Sequence, residues 1–141
     1  MANPAQKASI YVVDDEQVIA STLVTILRLH GFDARSFALP LLALEAAKSK
    51  SPDLLLSDVM MPQMSGIELA IQIQLLCPTC KVLLFSGQAD TRSLLTKAME
   101  DGRDFAFLLK PVHPKDLLKK LRDVLESGNA IMPKLYSPCR T

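Results

Sequence analysis

Five polar residues each stand directly after a short apolar run of the sequence: Asp14, Asp15, Asp58, Ser86 and Lys110. Carboxylates crowded together repel one another and tend to keep their protons, unless a divalent cation lies between them. Oxygen ligands without neighbouring histidine or cysteine favour Mg²⁺ or Mn²⁺ over zinc, and Mg²⁺ leaves coordination positions for phosphate oxygens. A lysine can neutralise a phosphoryl group, and a serine can donate a hydrogen bond to it. Together these residue types predict nucleophilic attack of the Asp58 carboxylate on phosphorus, which gives an aspartyl-phosphate.

Each of these residues also has a plainer explanation when it is considered alone. Asp14 or Asp15 could cap a helix, Ser86 could belong to a turn, and Lys110 could be an ordinary loop lysine. The five can act together only if the runs before them are neighbouring parallel strands, because such strands end at one edge of a sheet. The elements of the chain therefore decide between a site and a coincidence.

Short apolar runs alternate with helical patterns along the whole chain, so that five strands and five helices are predicted. The predicted strands are Ser9–Val13, Asp33–Phe37, Asp53–Ser57, Lys81–Phe85 and Phe105–Leu109. Helices between successive strands carry the chain back to the same edge, which makes the strands parallel. Continuously apolar strands are typical of a sheet that is covered on both faces. The sequence therefore predicts an α/β fold, an open doubly wound sheet with helices on both faces.

The helices are predicted from their start signals and apolar spacing. Their predicted ranges are Glu16–His30, Pro40 to about residue 51, Ser65–Cys77, Asp90–Met99, and Pro114 to about residue 127. Ser65 and Glu68 form a capping box that fixes the start of the third helix. The second helix is predicted to bury its apolar residues Leu42, Leu44, Ala46 and Ala47.

The bulk properties fit one domain in the cytoplasm. The chain has 141 residues and a formal net charge of +1, which provides no strong field for nucleic acid. Its apolar runs are far shorter than the roughly 20 residues that a membrane-spanning helix needs. The first residues lack the apolar core of a signal peptide. We expect an N-terminal extension over residues 1–8, one domain over 9–127 and a C-terminal tail over 128–141.

Cys77 and Cys80 form a Cys-x-x-Cys motif that could indicate redox or metal chemistry. A redox motif usually lies at a helix N-terminus, which lowers the pKa of one thiol, whereas this one follows a predicted helix. A zinc site would need two more ligands, and the remaining cysteine and histidines are irregularly spaced. The spacing favours two incidental thiols in a loop.

Four motifs of the chain together resemble the receiver domain of two-component response regulators. They are Val-Val-Asp-Asp-Glu at 12–16, Ser-Asp-Val-Met-Met-Pro-Gln-Met-Ser-Gly at 57–66, Phe-Ser-Gly at 85–87 and Leu-Lys-Pro at 109–111. The similarity extends from about Ile10 to Leu125. It implies a flavodoxin-like fold with strand order 2-1-3-4-5. It also implies phosphorylation of Asp58 by a histidine kinase or a histidine phosphotransfer protein.

The resemblance assigns further roles to individual residues. Asp14 and Asp15, with Asp58, would hold Mg²⁺, and the backbone carbonyl of Met60 would be another ligand. Ser86 and Lys110 would grip the phosphoryl group, and the Lys110–Pro111 bond would be cis. Ser86 and an aromatic residue of the fifth strand, here Phe107, would change position on phosphorylation.

Two features depart from the family pattern. Many relatives have tyrosine where this chain has Phe107, and phenylalanine presents no hydroxyl to a partner. The family usually has Gly-Ala a few residues before the fifth strand, whereas residues 102–105 read Gly-Arg-Asp-Phe and the loop is one residue longer. The surface near the fifth strand can therefore differ from that of relatives.

These observations predict a phosphorylation-dependent signalling switch whose output is a contact with an unknown downstream protein. Such a switch catalyses only its own phosphorylation and slow dephosphorylation, so it is not an enzyme in the usual sense. We expect no contact with nucleic acid or membrane. The sequence does not decide whether phosphorylation leads to a dimer. Whether a further domain was removed is also open.

Two alternatives use the same residues differently. A Mg²⁺-dependent phosphatase with an aspartate nucleophile generally has a second acid two residues later, where this chain has Met60. A pseudo-receiver would bind partners without chemistry, and the full set of five polar residues argues against it.

Overall fold

Five parallel strands form the centre of the molecule. In the computed structural model of the chain, which describes residues 7–87, 105–110 and 113–130, the sheet has the order β2-β1-β3-β4-β5. Its strands are β1 (Ser9–Val13), β2 (Asp33–Phe37), β3 (Leu54–Asp58), β4 (Lys81–Ser86) and β5 (Ala106–Leu109). Every neighbouring pair is parallel. The predicted sheet and its strand order are confirmed.

Helices cover both faces of the sheet. Those that the structure describes are α1 (Gln17–Leu29), α2 (Pro40–Ser49), α3 (Gly66–Leu76) and α4 (Pro114–Ala130). One core lies between the sheet and the α2 and α3 helices, and the other lies between the sheet and α1 and α4. The helix predicted over 90–99 lies outside the described residues. The last helix continues to Ala130, about three residues past its predicted end.

The inner strands are buried because their side chains meet a core on each face. Ile10 to Val13 and Leu54 to Leu56 have no exposed surface. Such continuous burial requires apolar residues at successive positions, which is the pattern that predicted them. β1, which ends directly before Asp14, and β3, which ends with Asp58, are therefore held rigidly on both sides.

Helix α2 buries Leu44 and Ala47 and partly buries Ala46, as predicted, but it does not bury Leu42. Its buried residues are Pro40, Ala43, Leu44 and Ala47, whereas Leu42 is 51 % exposed. Pro40 is the first helical residue and is itself buried, so the residues three, four and seven positions later face the core with it. The prediction for Leu42 was wrong because it relied on the apolar residue type and did not consider which helix positions share a face with Pro40.

Helix α3 begins as the sequence predicts. The Ser65 hydroxyl oxygen accepts a hydrogen bond from the Glu68 N–H at 3.1 Å, and the Glu68 carboxylate accepts one from the Ser65 N–H at 3.4 Å. This reciprocal box satisfies two amide groups at the helix start. It fixes the end of the loop that follows Asp58. None of the helices in the described ranges is long and apolar enough to cross a membrane.

Candidate functional site

The five polar residues predicted to form the site lie at the carboxyl edge of the sheet. Asp14 follows β1 directly, and Asp58 and Ser86 are the last residues of β3 and β4. The sequence placed Asp58 and Ser86 just after their strands. Pairing extends further because the Val59 N–H donates to the Phe85 carbonyl, 3.0 Å away. Asp58 and Ser86 therefore project from strand backbone and not from a loop.

Three carboxylates converge at this edge. One oxygen from each of Asp14, Asp15 and Asp58 lies within 4.8 Å of the other two. Asp14 is fully buried and Asp58 is 6 % exposed, whereas Asp15 is exposed to solvent. Among the described residues, this trio is the group of three potential ligands near enough to share a metal ion. The arrangement suits a small cation that binds through oxygen.

The two oxygens of Asp14 have different surroundings. Oδ1 accepts a hydrogen bond from the Glu16 N–H at 2.8 Å. Oδ2 is buried and has no hydrogen-bond partner among the described residues. The Lys110 ammonium lies 3.6 Å from Oδ2, near enough for Coulomb attraction but too far for a hydrogen bond. Oδ2 is thus a buried acceptor that a cation could satisfy.

Burial raises the pKa of Asp14 above its ordinary value. The Glu16 amide and the Lys110 charge oppose this rise, and the negative charges of Asp58 and Asp15 add to it. Without a bound cation, ionisation of the Asp14 carboxylate therefore costs free energy. A bound divalent cation would favour the ionised form and reverse this effect.

Lys110 provides the positive charge of the site. Its backbone N–H donates to the Ser86 carbonyl at 2.9 Å, which continues the β4–β5 pairing by one residue. Its Nζ donates to Asp58 Oδ2 at 3.0 Å. Burial lowers the pKa of Lys110, but the hydrogen bond to Asp58 and the charges of Asp58 and Asp14 outweigh it, so that the pKa is raised. The ammonium therefore stays charged beside the Asp58 carboxylate.

The Asp58 side chain is held at both oxygens. Oδ2 accepts from Lys110, and Oδ1 accepts from the Met60 N–H at 3.2 Å. The Met60 side chain is exposed. Its backbone carbonyl as a metal ligand stays a prediction.

Two residues near Asp58 were not singled out from the sequence. A Cβ atom on Gly66 would overlap the Asp58 carbonyl oxygen, so this position has no room for a side chain. The Phe85 ring lies beneath the Lys110 ammonium, with 5.0 Å between Nζ and the ring centroid. An aromatic residue directly before Ser86 is the signal that could have identified the second contact.

The remaining predicted site residues have these positions. Ser86 is fully buried at the end of β4. Phe107 is half-buried in β5 and packs against the core under α2 and α3. Pro111 and residues 102–104 lie outside the described residues, so the cis bond and the longer loop stay predictions.

Cys77 and Cys80 are both buried free thiols. Cys77 is the C-terminal cap of α3, and its carbonyl accepts the Cys80 N–H at 2.9 Å. Burial, with the Cys77 and Asp53 charges, raises the pKa of the Cys80 thiol to about 12. A thiol with this pKa is a poor nucleophile at neutral pH. Both residues lie in the turn between α3 and β4, as predicted, and their side chains pack in the core under α2 and α3.

Comparison with known proteins agrees with this geometry. The response regulator receiver domain family matches residues 10–122. The transcriptional regulatory protein CreB of Escherichia coli is 33% identical over 120 residues, which are 85% of this chain and 52% of CreB. The DNA-binding response regulator MtrA of Mycobacterium tuberculosis is 32% identical over 113 residues, 80% of this chain and 48% of MtrA.

A solved structure gives the same result for the fold. The CheY-like response regulator receiver domain protein from Methanospirillum hungatei superposes with a TM-score of 0.80 at 28% identity, and covers 89% of this chain and 98% of its own. The chain spans about half the length of the curated relatives that it matches. With this sheet order, this acidic edge and a family match over most of its length, the chain belongs to the receiver domains of two-component response regulators.

Proposed function

We propose that this receiver domain stores a signal as a phosphoryl group on Asp58. The observation that carries the proposal is the environment of one carboxylate. Asp58 is buried, and its carboxylate accepts a hydrogen bond from the Lys110 ammonium at 3.0 Å. One oxygen of each of two further carboxylates lies within 4.8 Å of an Asp58 oxygen. A nucleophile, a cation for the phosphoryl charge and ligands for a metal are thus adjacent.

The residues present fit Mg²⁺, or Mn²⁺ in its place. All donors are oxygens, their charges need neutralisation, and Asp14 Oδ2 is buried without a hydrogen-bond donor among the described residues. Asp14, Asp15 and Asp58 would hold the ion, with the Met60 carbonyl as a further ligand by resemblance to the family. When bound, Mg²⁺ draws negative charge from the phosphoryl oxygens and keeps the carboxylates ionised.

The transfer itself is a substitution at phosphorus. A carboxylate oxygen of Asp58 attacks the phosphorus of a phosphohistidine on a histidine kinase or phosphotransfer protein. The new O–P bond forms as the N–P bond breaks, and the electron pair leaves on the imidazole nitrogen, which takes up a proton from water. Lys110 neutralises charge on the incoming phosphoryl group, and the Ser86 hydroxyl donates to one of its oxygens.

The phosphorylated form then signals by contact with a downstream protein. Ser86 and Phe107 are the proposed switch residues, and residues 9–127 are the proposed receiver unit. The chain has no acid two residues after Asp58 to protonate leaving groups, so we propose slow self-dephosphorylation and no general turnover. A cytoplasmic location and the lack of direct nucleic-acid contact stay predictions.

Intact-mass measurement after incubation with acetyl phosphate tests the proposal. We expect an adduct of one phosphate that requires Mg²⁺ and is lost in Asp58→Asn. Asp123→Asn is the matched control, because Asp123 is exposed on α4 beside the opposite ends of the strands. No adduct under any condition would indicate a pseudo-receiver, and rapid turnover of varied phosphoesters would indicate a phosphatase.

A further inference from the structure

The aromatic contact beneath Lys110 has no part in the transfer described above. The Lys110 Nζ lies 5.0 Å from the centroid of the Phe85 ring. An ammonium within about 6 Å of a ring face is attracted by the electrons of that face, and more strongly where water is excluded. Phe85 is 2 % exposed and the Lys110 side chain 22 %. The contact is therefore largely shielded from solvent.

Phe85 is fixed relative to the nucleophile by main-chain pairing. It is opposite Asp58 in the register of β3 and β4, and its carbonyl accepts the Val59 N–H at 3.0 Å. The next residue, Ser86, accepts the Lys110 N–H through its own carbonyl at 2.9 Å. Two consecutive residues of β4 thus hold Lys110, one at its backbone and one at its ammonium.

A neutral attractor is useful at this position. The four-carbon stem of lysine is flexible. The Lys110 ammonium lies near two carboxylate oxygens, Asp58 Oδ2 at 3.0 Å and Asp14 Oδ2 at 3.6 Å, and could move from one to the other. Any cation bound by these carboxylates weakens their attraction for Lys110. The attraction of the ring does not depend on the charge of the carboxylates. It can keep the ammonium in place when their charge is neutralised.

We infer that Phe85 is a positioning residue, whose ring face holds the Lys110 ammonium beside Asp58 for transfer from a phosphohistidine or acyl-phosphate donor. The inference rests on the proposed function of Asp58. Phe85 also belongs to the core formed with α1 and α4, so its loss affects stability as well. A test must separate the two effects.

A double-mutant cycle makes this separation. Phe85→Leu removes the ring face and keeps an apolar side chain, and its effect is measured with Lys110 present and in Lys110→Ala. We expect Phe85→Leu to slow adduct formation with acetyl phosphate and Mg²⁺ by about three- to tenfold when Lys110 is present. In Lys110→Ala the same substitution should change the rate by less than about twofold.

Two further variants control for packing. Phe37→Leu removes the ring of a buried phenylalanine in the other core, so it should cost stability in urea unfolding without slowing phosphorylation. Phe85→Tyr keeps the ring face and adds only a hydroxyl group. This variant should retain a rate close to that of the unaltered protein.

NMR of the metal-free protein provides a readout that does not involve activity. The Lys110 Cε–Hε signals should carry a ring-current shift that disappears in Phe85→Leu and persists in Phe37→Leu. Failure of the unaltered protein to form an adduct would overturn the proposed function, and this inference with it. Adduct formation with equal slowing by Phe85→Leu in both backgrounds, or with none, would overturn this inference alone.

Discussion

The Asp14 side chain is fully buried beside two other carboxylates, and burial raises its pKa above the ordinary value. The folded protein therefore binds more protons than the unfolded chain over the pH range just above that value. The free energy of unfolding must fall as pH rises through this range, because the unfolded state gives up its proton first. Below the ordinary pKa of an aspartate the contribution is fully present, and it is lost as pH rises through the folded pKa.

Replacing Asp14 with asparagine should remove this pH-dependent loss in metal-free protein. Asparagine has nearly the same shape and no charge, so we expect Asp14→Asn to be more stable than the unaltered protein by about 1 kcal/mol at pH 7 in EDTA. Urea unfolding between about pH 4 and pH 7 measures the difference. Parallel stability curves for the two proteins would contradict the prediction.

The Cys80 thiol should be unreactive in the folded protein. Burial and nearby negative charge raise its pKa to about 12, so very little thiolate exists at pH 8. We expect iodoacetamide to label Cys80 at least tenfold more slowly in buffer than in urea, as measured by peptide mass spectrometry. Equal labelling under the two conditions would show that this thiol is accessible and reactive.

At the level of elements, the sequence predicts where strands lie better than where their pairing ends. β1 and β2 have the predicted bounds, because the apolar run of β1 and the helix signals on either side of β2 are local in sequence. Asp58 and Ser86 belong to their strands because the backbone of a neighbouring strand pairs with them. Their polar side chains give no sign of this pairing in the sequence. The exposure of Leu42 on α2 escaped prediction for a similar reason, because the phase of this helix depends on the burial of Pro40.

The site shows the same division. Residue types and their positions after strands were sufficient to predict that Asp14, Asp15, Asp58, Ser86 and Lys110 lie at one edge of the sheet. The contacts made by Gly66 and Phe85 required the three-dimensional arrangement, because each joins segments that are remote in sequence or in different elements.

The start of α3 should tolerate no side chain at Gly66. A Cβ atom there would overlap the Asp58 carbonyl oxygen and crowd the Ser57 hydroxyl, and both are fixed by β3. Since rigid backbone cannot yield as a flexible side chain does, we expect Gly66→Ala to cost about 3 kcal/mol of unfolding free energy.

Gly87→Ala is the matched control in the same urea experiment. A Cβ at Gly87 would make only an ordinary contact, 3.5 Å from the Lys110 Cβ. We expect this variant to lie within about 1 kcal/mol of the unaltered protein. Similar losses for the two glycines would mean that the close approach of α3 to β3 is not what Gly66 provides.

At the scale of the whole molecule, the sheet edge joins the site to global stability. The carboxylates lie on strand ends and turns that exist only in the folded sheet, between the two cores. A cation that binds this trio binds the folded state and not the unfolded chain. Cation binding must then raise the unfolding temperature, by an amount that grows with the logarithm of the free cation concentration above the dissociation constant.

A Mg²⁺ titration of the unfolding temperature measures this coupling. At a free concentration one hundred times the dissociation constant, binding adds about 2.7 kcal/mol. For a domain of this size that corresponds to a rise of roughly 6 to 12 °C in the unfolding temperature.

Two variants and a salt control show where the ion binds. Asp14→Asn loses one buried ligand charge and should respond much less, whereas Asp123→Asn, at an exposed position, should respond fully. Sodium chloride at matched ionic strength separates binding from general screening. An equal rise in sodium chloride, or an undiminished rise in Asp14→Asn, would show that the stabilising Mg²⁺ is not held by this acidic edge.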